Sequence, residues 1–413
     1  MSTTSSPLWR GFTWPAVVGI SPRMPAPPHP GKSRDVVVVT AAQFSLAFAL
    51  NFMFVFLPFY VHAISALDEA ATLRWTGLIV GAASAMATFG SAFWGNLTDR
   101  FSPKALFERG ILSHVILVAL MGFVTDLRLL LGIRMLQGFL GGISTIGLII
   151  VSAVSTEDQL TRRMGMYQSA LTLGQIFSPP LGAMAAATLG FRGAFLASSL
   201  MLFAIFVFCW WGLSPLPPRP RGPASDWPPR QTLWLAWAVA FAGTMQIVFL
   251  PSVLPTILRD FHIPDSERLV MAGTIVFAYG ASAAAGSYGL TWLSGRIPPE
   301  RLVLASALGA SVLQVLLILG VGPVSFTLIR MAQTALAAGI FPLILAQIAS
   351  RSQGTTIGII NTARFAGNAA GPVIATFVLA HSNLLSLYLI LGAGLAAVAL
   401  GHHLGVSRQS RNR

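Results

Sequence analysis

Charge is scarce in this 413-residue chain. Asp, Glu, Lys and Arg together make up 9% of it, where a soluble domain carries about a quarter. Too little charge remains to clothe the surface of two or three soluble domains, which the length alone would suit. Acid is scarcer than base, with 13 Asp and Glu against 26 Lys and Arg. Cysteine is almost missing. Cys209 stands alone beside Trp210 and Trp211, so there is no intramolecular disulfide framework, and the thiol reads as a small packed hydrophobe. There is no phosphate-binding loop, no H-E-x-x-H and no Cys/His metal set. An ATP-driven pump within this chain and an enzyme are therefore not expected, nor is any cofactor or metal. The net charge of +13 would suit a nucleic-acid binder, but the basic residues sit in short connectors and tails. That is the pattern of membrane topology, and no nucleic-acid partner is expected.

What the chain has in abundance is long apolar runs, within a composition that is 54% hydrophobic. Each is about the 20 residues that cross a bilayer as a helix, and lipid, which offers the backbone no hydrogen bonds, demands helices. The runs fall at roughly 36–60, 74–95, 109–125, 127–151, 164–188, 191–213, 232–257, 270–294, 301–319, 321–349, 356–380 and 383–404. Residues 1–35, with Pro25, Pro27, Pro28 and Pro30, read as a disordered cytoplasmic tail without a secretory h-region; Met24 is an alternative first residue. The stretch 214–231 is crowded with proline and with Arg219, Arg221 and Arg230. It divides the chain into an N-terminal six-helix bundle over 36–213 and a C-terminal one over 232–404, followed by a basic tail at 405–413. The fold class expected is all-α integral membrane, with twelve transmembrane helices in two pseudo-symmetric six-helix bundles.

The basic residues orient this map. Eighteen lie on the side of the N-terminus, five (Arg74, Arg128, Arg192, Arg259 and Arg268) on the opposite side, and three within spans, together the 26 of the chain. The positive-inside rule then places both termini in the cytoplasm, in a bacterial inner membrane.

The two halves align with each other. Arg134-Met-Leu-Gln137 matches Arg330-Met-Ala-Gln333, and Gly90-Ser91 matches Gly286-Ser287, both at an offset of 196. Asp99-Arg100-Phe-Ser-Pro103 aligns with Gly295-Arg296-Ile-Pro-Pro299 at the same offset. Phe56-Leu57-Pro58 matches Phe249-Leu250-Pro251, and Gly174 and Pro179 match Gly367 and Pro372, at 193. Agreement at separate helices implies duplication, with the small differences absorbed in loops. Repeats of this kind place a substrate site between the halves near the midplane and alternate access by rocking.

After the second span comes Gly95-Asn-Leu-Thr-Asp99-Arg100-Phe-Ser-Pro-Lys104. In the fourth lies Arg134-Met-Leu-Gln137-Gly138, and in the fifth Gly174-Gln-Ile-Phe-Ser178-Pro179-Pro180-Leu-Gly182. These resemble the loop pattern G-x-x-x-D-R-x-G-R-[RK], the R-x-x-q-G motif and the antiporter motif G-x-x-x-G-P-x-x-G-G of the major facilitator superfamily, within it the twelve-span drug:proton antiporter branch. The departures are Ser102 and Pro103 in the first, and Ser178 and Ala183 in place of glycines in the last. The resemblance covers about 36–404. It implies that Gly95, Asp99, Arg100 and Lys104 form a conformational latch whose Asp meets the helix beginning near 356. It also implies that Gly174, Pro179 and Gly182 serve the close packing that accompanies exporters. Physically, Gly and Pro there permit close helix contact and a kink.

All 13 acids fall outside the deep parts of the spans, whereas Arg134, Arg330 and Arg364 lie within them. A cation-exporting antiporter commonly has a membrane carboxylate, so this is a departure. Three interior cations require either an anionic ligand, held by guanidinium forks, or pairing with helix carbonyls, with Gln137, Gln333 and Asn361, or with Asp126 about two turns from Arg134. Arg364 is the best candidate for substrate contact, because its counterpart in the first half is Leu171. Asn51 and Gln246 join Arg134, Arg330, Arg364, Gln137, Gln333 and Asn361 as candidate substrate-binding residues. Gln43, Gln168, Tyr279 and Asn368 could also line the path, each with a helix–helix hydrogen bond as the plainer role. His114 and His381 read as packed or interfacial histidines.

The expected function is a secondary-active, proton-coupled exporter of small drug-like molecules, a monomer in the bilayer whose partners are its small-molecule substrate and protons. An exporter or exchanger of a specific organic anion is the alternative within transport; a non-transporting membrane receptor is the alternative of another class.

Overall fold

The structure is a computed structural model that describes residues 33–155, 157–218, 230–349 and 355–411. The expected tail up to residue 32 and the middle of the expected linker lie outside the described residues. Every regular element among them is helical. The first half contains α1 (Ser33–Phe54), α2 (Leu57–Ile64), α3 (Glu69–Leu97), α4 (Pro103–Met121), α5 (Leu127–Phe139), α6 (Ile143–Ala153) and α7 (Glu157–Gly212). The second contains α8 (Arg230–Val248), α9 (Leu250–Asp260), α10 (Asp265–Leu293), α11 (Pro299–Leu316), α12 (Pro323–Ala349), α13 (Thr355–His381) and α14 (Leu384–Arg411).

Local chemistry explains the boundaries. Asp68 and Asp126 cap α3 and α5, accepting from the Ala71 amide at 2.6 Å and the Leu129 amide at 2.8 Å. Asp126 is thereby committed to its own helix end and is not the partner of Arg134. Pro58 and Pro251, equivalent residues, open the short helices α2 and α9, so the first and seventh spans are each built in two pieces. Gly141-Gly142 breaks the fourth span between α5 and α6, with Gly142 at φ 78°, a backbone that favours glycine. Ser33–Asp35 already belong to α1, and α14 continues to Arg411, where tails were expected.

Ten stretches among the described residues are long and apolar enough to cross a membrane. One of them, Arg162–Gly212, is 51 residues long and doubles back at Gly190 (φ 71°, ψ 169°). Gly174 packs on Phe44 and Gly182 on Phe52, so the first arm of α7 runs parallel to α1. Ser198 bonds the Ala49 carbonyl and Gly212 packs on Val38, so the second arm runs back. Helix α4, outside those ten, carries Lys104, Glu108 and Arg109 in its first two turns. It reaches from the Leu213 carbonyl, bonded by Lys104, to the Met121 carbonyl, bonded by Tyr60. Among the described residues, twelve helical rods therefore run between the two ends of the bundle. Because α4 begins at Pro103, Glu108 lies inside a helix and is buried, 3.6 Å from Lys104. Glu108 stands in the second turn of α4, near its Lys104 end and not in the deep part of the span.

The duplication is visible in packing. Gly90 lies on the Phe139 carbonyl and Gly286 on the Ala335 carbonyl, and both members of each pair are 196 residues apart. Gly138 lies against Ala83; at the equivalent crossing the Thr334 hydroxyl donates to the Tyr279 carbonyl at 3.3 Å. Large apolar side chains such as Leu200, Trp211, Val321 and Val324 are exposed, as expected of a lipid-facing surface.

Candidate functional site: the seam between the halves

The halves meet along α3 with α13 and along α7 with α10. Both crossings depend on small residues. A Cβ on Gly77 would meet Thr376 and the Pro372 carbonyl, and one on Gly81 the Ala369 carbonyl. Across the other crossing, a Cβ on Gly273 would stand 2.6 Å from the Ala183 Cβ and 3.1 Å from the Pro179 carbonyl. The segment 174–182 thus has two faces. Gly174 and Gly182 hold the first arm of α7 against α1, while Pro179, Pro180 and Ala183 face α10 of the other half. Phe177 meets Phe277 across the same seam, with ring centroids 6.0 Å apart.

At the end away from the termini the seam is closed by polar groups. Arg259 of α9 grips Glu69 of α3 with both terminal guanidinium nitrogens, at 3.0 and 3.2 Å. Thr256 donates to the same carboxylate at 3.4 Å, and Arg74 approaches His381 at 3.4 Å. From the sequence Glu69 and Arg259 read only as charges on the side opposite the termini, and nothing in their spacing announces that they meet.

The interior arginines have different surroundings. Arg134 donates to the Ile79 and Val80 carbonyls of α3 at 3.1 and 3.2 Å and to Gln137 at 2.6 Å. Arg330, fully buried, donates to the Gln246 and Ile247 carbonyls of α8, both at 2.8 Å, and to Gln333 at 2.7 Å. Gln333 donates to Gln246 at 2.6 Å, and Gln246 to the Leu391 carbonyl at 3.0 Å. The Arg330 guanidinium also lies 4.8 Å from the ring centres of Phe249 and Tyr279. Each cation is solvated by neutral oxygens of its own half, which offsets the cost of carrying charge at membrane depth. Arg364 is half-buried on α13, its guanidinium 4.8 Å from the Phe341 ring centre. Helices α12, α13 and α14 carry no Asp or Glu at all.

The remaining candidates scatter. Asn51 bonds its own helix at the Ala47 carbonyl, 2.8 Å away. Gln43 is knotted with Tyr167 and Ser144 between α1, α6 and α7. Gln168 is exposed. His114 is buried and bonds the Gly110 carbonyl at 2.9 Å. The side chain of Asn361 lies outside the described residues. Arg109, read in the sequence as a connector charge, is instead stacked on Trp94, with its guanidinium carbon 3.4 Å from the ring centre.

A family model, Major Facilitator Superfamily, matches residues 39–372. The chain belongs to that superfamily. It is a multi-pass membrane transporter rather than an enzyme, and members of this superfamily carry small molecules. A multidrug resistance protein MdtG from Dickeya zeae is 23% identical over 389 residues, covering 91% of this chain and 95% of that protein. Among solved structures, the nucleoside transporter NupG superposes with a TM-score of 0.73 at 12% identity, covering 89% of this chain and 98% of that one. The human organic anion transporter MFSD10 superposes with a TM-score of 0.66 at 16% identity, over the same shares. Those two likenesses concern the fold.

Seen as a superfamily member, the 95–104 segment joins rods at the end bearing the termini. Gly95 is buried in the last turn of α3, and the Thr98 hydroxyl donates to its carbonyl at 2.7 Å. Arg100 is exposed. Lys104 donates to the Trp210 and Leu213 carbonyls at 3.1 and 2.6 Å, a cation at a helix C-terminus. Helix α13 begins at Thr355. Asp99 has one carboxylate oxygen buried without a partner among the described residues, and the side chains of the first turn of α13 are outside them.

Proposed function

We propose that this transporter is a secondary-active, proton-coupled exporter of small drug-like molecules that works by alternating access between the two halves. The observation that carries this reading is the seam around Pro179. The segment resembling the antiporter motif packs on its own half through Gly174 and Gly182 and on the opposite half through Pro179 and Ala183. Rigid attachment on one side and a glycine-lined contact on the other suit two bodies that rock against each other. The name of the Dickeya zeae relative, matched over nearly its full length, supports drugs as cargo. In this reading all twelve rods cross a bacterial inner membrane, both termini are cytoplasmic, the protein works as a monomer, and the 95–104 segment latches the cytoplasmic end.

Arg134, Gln137, Arg330, Gln333 and Gln246 then brace the halves from within, and Arg364 with Asn361 and Asn51 is left to meet cargo. The test is a substrate screen in proteoliposomes with and without an imposed pH gradient. Cationic dyes and neutral drugs accumulating only with the gradient support the proposal; gradient-independent movement of every substrate overturns proton coupling.

One observation favours a second reading, an organic-anion exporter. Arg364 is a half-buried cation on a helix without a carboxylate, flanked by two more such helices. Transport restricted to anions in the same vesicles would select it.

A further inference from the structure

The closed end of the seam contains a cavity of about 120 Å³, lined by Phe59, His62, Glu69, Thr256, Arg259 and Arg268 among others. It contains more than the Glu69–Arg259 fork. His62, on α2, approaches the same Glu69 oxygen at 3.8 Å through Nε2. Its Nδ1 lies 2.9 Å from the Pro58 carbonyl. A carbonyl only accepts, so Nδ1 carries hydrogen and Nε2 of the neutral ring presents a lone pair toward a carboxylate. That arrangement is unfavourable until Nε2 gains a proton, and Nε2 is buried without a hydrogen-bond partner.

The neighbouring charges fix the direction of the response. Arg268 is tied to Asp265 beside it on α10. Arg74 of α3 is directed at His381 of α13. Asp68 is engaged in capping α3, and Asp260 follows Arg259 on α9. With His62 neutral, Glu69 and Arg259 balance each other across the seam. A proton on His62 gives Glu69 a cationic partner within its own half. It also places a positive charge opposite Arg259, which belongs to the other half. A proton on Glu69 itself removes the attraction outright. Both protonations weaken the only fork joining α3 to α9 among the described residues.

We propose that His62, Glu69 and Arg259 form a proton-binding clasp that holds this end of the seam shut and releases it on acidification. The ligand is the proton, taken at His62 Nε2, which faces Glu69 and is buried without a hydrogen-bond partner. The clasp rests on the alternating-access reading, so its test separates the two.

Spin labels at Leu67→Cys and Ser266→Cys, in a Cys209→Ala background, report the distance across this end by pulsed electron resonance in nanodiscs. The unmodified clasp is expected to be short at pH 8 and to gain a long-distance population several-fold by pH 6. His62→Gln abolishes that gain, and Glu69→Gln shows the long distance at both pH values. Exchanging the charges, Glu69→Arg with Arg259→Glu, restores the short distance at pH 8. Gly273→Leu, which wedges the α7–α10 contact, serves as a control that opens this end independently of the clasp. If the wedge opens it but acid and Glu69→Gln do not, or if His62→Gln responds to pH as fully as the parent, the clasp is overturned alone. If even the wedge leaves this end shut, alternating access is overturned with it.

Discussion

Arg134 and Arg330 occupy equivalent positions 196 residues apart, yet they solvate their charge on different neighbours. Arg134 reaches the Ile79 and Val80 carbonyls of α3. The equivalent carbonyls would be Ile275 and Val276 of α10, but Arg330 turns instead to Gln246 and Ile247 of α8. Two substitutions between the halves account for the turn. Tyr279 stands where the first half has Ala83, and its ring lies beside the guanidinium. Gln246 stands where the first half has Met53, and it gathers Gln333 into the network. A duplicated motif has thus been locked in two ways by its surroundings.

That arrangement makes the fork geometry, not the charge alone, essential. Arg330→Lys keeps the charge but loses the planar donors that serve two carbonyls and Gln333 together. It should destabilise the protein by about 1–3 kcal/mol, read as a lower melting temperature in detergent. Arg134→Lys should behave alike. A lysine variant as stable as the parent would show that a point charge suffices.

Glycines within a half and glycines across the seam should fail differently. Gly182→Val drives a side chain into the Phe52 carbonyl inside the first half. It should reduce the yield of folded, monodisperse protein, as size-exclusion chromatography would show. Gly77→Val and Gly273→Leu clash only with the opposite half. They should leave folding intact while slowing disulfide cross-linking between cysteines placed on either side of the seam.

Arg364 offers a test of cargo charge. Arg364→Ala should raise the KM for an anionic substrate on the order of tenfold, the equivalent of about 1.4 kcal/mol, and leave neutral substrates unchanged. Arg364→Lys should recover part of the loss. Equal losses for neutral and anionic cargo would assign Arg364 to packing on Phe341 instead.

Lys104 ties the start of α4 to the end of α7 through two carbonyls. Lys104→Met preserves the stem and removes the bonds, and should cost about 1 kcal/mol, measured by thermal unfolding. Glu108, buried 3.6 Å from it, loses its counter-charge in that variant, so Lys104→Met with Glu108→Gln should recover stability relative to Lys104→Met alone.

Much of the fold was legible because membranes impose few solutions. Apolar runs of one length had to be helices, and offsets of 193 and 196 had to mean two copies of one bundle; Gly90 and Gly286 do pack on equivalent neighbours. The motif residues of the superfamily were legible as residue types at fixed spacing. Their partners were not, because a helix leaves the direction of a long side chain to the surrounding packing. Asp126 looked two turns from Arg134 and instead caps its own helix. Arg109 looked like a connector charge and is stacked on Trp94. Glu108, counted among the acids outside the deep parts of the spans, is buried near the start of α4, because Pro103 begins that helix a turn and a half before its apolar run.

By itself, then, the sequence determined the class of structure, the duplication and the membership of a transporter family. All three follow from hydrophobic length and from local spacing, which are properties of the chain alone. Only the tertiary structure decided which cations are saturated by carbonyls and which charges from the two halves face each other. Glu69 and Arg259 are 190 residues apart and sit on helix ends whose separation depends on how two bundles lean together. That is a long-range packing outcome, and no local pattern of residues encodes it.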